Sequence, residues 1–106
     1  MRKDPIDFRA INADALTCLP AILHRLLPDG KIEGREFRAL NPRRADRHRG
    51  SFSINVRTGK WSDFATGDKG GDPISLVAYL EGCTQLEAAR RLARMLGLDA
   101  GGRSHG

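Results

Sequence analysis

Apolar positions run at helical spacing near both ends of this chain and alternate in the middle. Ala15, Leu16 and Leu19 predict a helix capped by Asn12 or Asp14. Pro20 interrupts it, because proline gives up a helical N–H and clashes one turn back. A second helix, with Pro20 in its first turn, carries Ile22, Leu23, Leu26 and Leu27 on one stripe. Pro28-Asp29-Gly30 stops it. Glu36 to Leu40 then reads as a short strand with Phe37 and Ala39 on one face, and Asn41-Pro42 turns the chain.

Strict alternation follows. Phe52, Ile54 and Val56 alternate with Ser51, Ser53, Asn55 and Arg57, the pattern of a half-buried antiparallel strand. Thr58-Gly59 is a short turn, and Lys60 to Phe64 returns as the partner strand. Trp61 and Asp63 share one face of that strand, Ser62 and Phe64 the other. Trp61 reads either as core or as a partly exposed platform for base stacking. Asp72 as N-cap and Pro73 in the first turn open a helix that turns Ile74, Val77 and Leu80 inward beside Leu76 and ends at Gly82. Thr84 and Glu87 form a capping box for the last helix. That helix carries Leu86, Ala89, Ala93 and Leu96 on one stripe with Leu92 alongside, and Gly97 caps it. The fold class is therefore α+β: a small antiparallel sheet of about three strands, with helices before it and two after it. Residues 1–34 form a helical leader packing on the sheet, 35–98 the sheet-and-helix unit and 99–106 a flexible tail, in one compact domain.

Composition adds a sign to this outline. The 106 residues carry a formal net charge of +5, and fourteen of the 18 basic residues are arginine. Arginine suits bidentate contact with phosphate better than lysine does. Between Arg35 and Arg49, six arginines face only Glu36 and Asp46, so most of the excess charge is packed into that stretch. It reads as a solvated face or as a phosphate-binding loop. Gly67, Gly70 and Gly71, with Lys69 among them, read as a tight turn or as a cradle for one phosphate ahead of the helix. Arg90, Arg91 and Arg94 read as a solvated helix face.

Other chemistry is thinly represented. Cys18 and Cys83 belong to no C-x-x-C pair and read as reduced apolar fillers. No apolar run approaches the ~20 residues of a membrane span, and MRKDPIDF lacks the apolar core of a signal peptide, so a cytoplasmic location is expected. His24, His48 and His105 have no second ligand or catalytic partner at useful spacing. Asp63, Asp68 and Asp72, with Lys60 and Lys69 interleaved, read as caps and turn formers rather than a metal-binding set.

From Arg35 to Leu98 the chain resembles the amino-terminal zinc-ribbon domain of bacterial, phage and plasmid DNA primases. The likeness rests on Asn41-Pro42 at the first knuckle, Ser51-Phe52 opening a strand, Gly70-Gly71-Asp72 and the two helices that follow. Aligned on those anchors, the four metal positions fall at Asn41, Arg44, Phe64 and Gly67, none an ordinary zinc ligand. The resemblance implies a metal-free relative, needing no cofactor, in which Phe64 and Trp61 add core in place of the metal.

It also implies a binding function without catalysis, since nucleotidyl transfer in that family lies in a separate domain. The expected activity is binding of single-stranded nucleic acid, DNA in preference, in the replication system of a phage, plasmid or other mobile element. Arg38, Arg43, Arg44, Arg47, Arg49, Arg57, Lys60 and Lys69 would meet phosphate, with Trp61 as the stacking residue. A primase, polymerase or helicase subunit is the expected protein partner. The alternative is a protein-interaction or inhibitor module derived from such a domain, acting on a replication or host defence protein.

Overall fold

A computed structural model of the chain describes residues 6–43 and 51–97. Helix α1 (Phe8–Thr17) begins a turn earlier than the sequence pattern predicts: Asp7 is its N-cap, accepting from the Ala10 N–H at 3.0 Å. Asn12 has a different task. Its Oδ1 accepts from the Ile74 N–H, 2.9 Å away at the start of a later helix. Leu19 belongs to the second helix, α2 (Leu19–Leu26), with Pro20 in the first turn as expected.

The sheet is larger than expected. Strands β1 (Lys31–Glu33), β2 (Glu36–Ala39), β3 (Phe52–Asn55), β4 (Trp61–Asp63) and β5 (Lys69–Gly70) form one antiparallel meander in the order β1-β2-β3-β4-β5. The two outer strands escape a sequence reading because they span only three and two residues, too few for alternation to register. After β5 come α3 (Pro73–Glu81) and α4 (Gln85–Met95). Asp72 and Ser75 cap α3 reciprocally, and Gly82 ends it in the left-handed conformation with φ of 66°. Thr84 and Glu87 do the same for the start of α4 through two 3.1 Å bonds.

All the helical packing lies on one face of the sheet. Phe37, Ala39, Phe52, Ile54 and Trp61 point to that face and pack with Leu19, Leu23 and Leu27 from the first helical pair and Leu76 from α3. Ile11 and Ala15 of α1 extend the core outward against Ile74, Val77, Ala88, Ala89, Leu92 and Ala93. On α4 the buried stripe is Ala88, Ala89, Leu92 and Ala93, whereas Leu86, expected inside, is 41% exposed. Three alanines on that stripe leave room for α4 to lie close to α1 and α3. Trp61 takes the core option: it is 6% exposed, its Nε1–H donates to Ser75 Oγ at 3.0 Å, and Tyr79 lies 4.7 Å from it between ring centroids. Gly70 pairs with it across the β4–β5 ladder, where any Cβ would collide with the indole. No helix among the described residues is long and apolar enough to cross a membrane.

Candidate nucleic-acid interface

Among the described residues, no helix covers the opposite face of the sheet. Strand pleating decides which residues stand there, because alternate side chains leave a strand on opposite sides. Cross-strand partners place Lys31, Arg38, Ser53, Ser62 and Lys69 in one row across all five strands. A second row holds Glu33, Glu36 and Asn55, with Lys60 beside Asn55, whose N–H donates to the Lys60 carbonyl at 2.7 Å. On the other side of the first row, two residues beyond Ser62, Phe64 is held by its N–H bond to the Ser51 carbonyl, 2.9 Å. An open concavity of about 710 Å³ on this face is lined by Arg38, Ser53, Ser62, Lys69, Glu36, Asn55, Lys60 and Phe64, with Lys31 and Glu33 outside it.

Its electrostatics are mixed but net basic. Arg38 pairs with Glu33 at 3.3 Å, and Glu36 accepts from Asn55 Nδ2 at 3.4 Å. Lys60 and Lys69 form no ion pair with any described residue. Phe64 is the outlier in chemistry. It is 74% exposed, the most exposed large apolar side chain among the described residues. The expectation that Phe64 adds core in place of a metal is therefore corrected. Pleating puts it on the solvent side with Ser62, while its neighbours Trp61 and Asp63 turn inward.

The expected binding residues divide by location. Arg38, Lys60 and Lys69 stand around the concavity. Arg57 is exposed in the β3–β4 turn. Arg43 is drawn to the helical side, where its guanidinium lies 5.5 Å over the Tyr79 ring and donates to the Tyr79 carbonyl at 3.1 Å. Trp61 offers no free face for a base, since it is buried under Tyr79 and Phe52. Arg44, Arg47, Arg49 and His48, like residues 99–106, lie outside the described residues.

The glycine-rich approach to α3 has its donors already engaged. The Ile74 N–H goes to Asn12, the Ser75 N–H to Asp72 Oδ1 at 2.8 Å, and Pro73 has none. Gly67, with φ of 83°, closes the β4–β5 turn and donates its N–H to the Asp63 carbonyl at 2.8 Å. This is a tight-turn arrangement, and Lys69 stands on the sheet face, where it lines the concavity.

Where the resemblance sets metal positions, a hydrogen-bonded cluster joins the same loops. Asn41 is fully buried; its Nδ2 donates to Asp63 Oδ2 and to the Tyr79 hydroxyl, each at 2.8 Å, and its Oδ1 accepts from the Arg43 N–H. The Tyr79 hydroxyl in turn donates to Asp68 Oδ2 at 2.8 Å, and Asp63 Oδ1 accepts from the Ala65 N–H. Burial, the bond to Asp68 and the negative charges of Asp68 and Asp63 hold the Tyr79 pKa above its ordinary 10.0, against the opposing pull of the Asn41 bond. Among the described residues no group of three or more His, Cys, Asp or Glu is placed to hold a metal ion. Comparison with protein-family models and with curated proteins gave no match to this chain.

Proposed function

We propose that the protein is a non-catalytic binding module for single-stranded DNA, working in the cytoplasm with a primase, polymerase or helicase of a mobile element. The observation that carries this reading is the sheet face that no described helix covers, where Arg38, Lys60 and Lys69 surround a floor of hydroxyl and amide groups and Lys31 extends the row on the edge strand. A cationic, polar and open face suits a sugar–phosphate chain, which brings negative charge and many acceptors. The primase resemblance supports the same assignment. Non-catalytic action is supported by what the acids do. Asp63 and Asp68 serve the cluster around Asn41 and Tyr79, and Asp72 caps α3, so these carboxylates are engaged in the fold.

The test is fluorescence anisotropy of a labelled single strand of about twenty nucleotides, titrated at several salt concentrations. Binding is expected to weaken steeply with salt, and Lys60→Gln or Lys69→Gln should each lower the log–log slope by ~0.7, the single-strand value per phosphate contact. A wild-type protein that fails to bind at low salt would remove the proposal. A pull-down for a protein partner would then take up the interaction-module alternative.

A further inference from the structure

We infer that a single strand crosses the sheet face perpendicular to the β-strands, between Lys69 and Arg38, and stacks one base on Phe64. The inference rests on the binding function proposed above and adds a path and a stacking residue. Lys69, Ser62, Ser53 and Arg38 are successive cross-strand partners, so they form a straight row. Three strand spacings make it about 14 Å long, room for a short run of backbone phosphates. Cations stand at its ends, Arg38 also paired with Glu33, and hydroxyls in its middle, with Ser62 more open than the 6% exposed Ser53; this order ties down a backbone while leaving its bases free.

The two flanks of the row differ. On one side Glu33 and Glu36 repel phosphate, although Lys60 continues that side at the β4 end. On the other side stands Phe64, with its ring in the same concavity. A base extending from a backbone on the row therefore meets the aromatic face on one side and carboxylates on the other. Stacking accepts any base and needs one face of that base freed from its stacked neighbour, which an unpaired strand yields readily and a duplex does not, so the site selects unpaired strands over duplex without reading sequence. A scattered exposed aromatic is common on protein surfaces; what distinguishes this one is its place beside a cationic row in a concave face.

The experiment compares wild type, Phe64→Ala and Phe64→Tyr in binding a labelled oligothymidylate of about twelve nucleotides and the same backbone made of abasic sites. Phe64→Ala should weaken oligothymidylate binding roughly five- to 150-fold, the range of a lost base stack, and Phe64→Tyr should restore it. The abasic strand should bind wild type and Phe64→Ala equally. Phe64 is largely exposed, so the alanine variant should keep the wild-type melting temperature. Salt-sensitive binding that is identical in wild type and Phe64→Ala would overturn the path and leave the binding function standing. Absence of wild-type binding to either strand would overturn both.

Discussion

Asn41 joins three parts of the chain with one amide. Its Nδ2 reaches Asp63 at the end of β4 and Tyr79 on α3, while its Oδ1 turns the backbone toward Arg43. A buried amide bonded to a carboxylate is worth more than a neutral pair, and its loss leaves a buried acceptor short of a donor. Asn41→Ala should therefore destabilise the fold by about 2–4 kcal/mol, measured as a lowered denaturant midpoint with unchanged slope. Tyr79 makes the same cluster sensitive to alkali. Its pKa is higher in the folded protein than its ordinary 10.0, so the stabilisation it supplies is complete below that value and is lost as pH rises through the folded pKa. It is the single tyrosine of the chain, which lets phenolate absorbance follow it alone. The melting temperature of wild type should fall above pH 10 more steeply than that of Tyr79→Phe; parallel curves would show that the hydroxyl has no such role.

At the scale of elements, local rules and long-range ones separate cleanly. Both C-terminal helices follow their caps, and Thr84→Ala should cost about 1 kcal/mol, read from thermal unfolding. The inward and outward faces of β2, β3 and β4 match the alternation, down to Trp61 and Asp63 inside and Phe64 outside. Phe64 is instructive here. Period-two patterning pairs it with Ser62 on one face without saying which face is buried, and reasoning from a missing metal assigns it to the core. What the pattern could not contain was contact between distant residues: Asn12 capping α3, Asn41 meeting Asp63, or Arg43 folding over Tyr79. An asparagine near a proline reads as a turn former, and nothing nearby in sequence marks it as the centre of a buried cluster. The outer strands were missed for lack of length, and α1 was begun late because Asp7 sits beyond the first clear apolar period.

For the molecule as a whole, the sheet divides labour between its faces. One face is committed to the core, and the other gathers Lys31, Arg38, Lys60, Lys69 and Phe64 with no described helix over them. The candidate site was half legible. Its cations are conspicuous in the sequence, but their grouping depends on the five-strand register, including Lys31 and Lys69 on strands too short to recognise. Of the arginine-rich stretch that dominates the composition, residues 35–43 lie in the described structure, with Arg38 on the open face and Arg43 against α3.

The sheet is a plain meander, so each strand can pair as soon as its predecessor is made. Helix α1 is in the opposite position. Ile11 and Ala15 bury against Ile74, Val77 and the alanines of α4, and Asn12 holds the Ile74 N–H across 62 positions. During synthesis on a ribosome, α1 therefore has only α2 beside it early, and the rest of its apolar face has no surface to pack on until α3 and α4 have left the exit tunnel. For the several seconds that separate them at ~5–20 residues per second, an apolar helix face waits uncovered. Around α1 the growing chain is thus open to aggregation or to chaperone capture well after that segment has emerged.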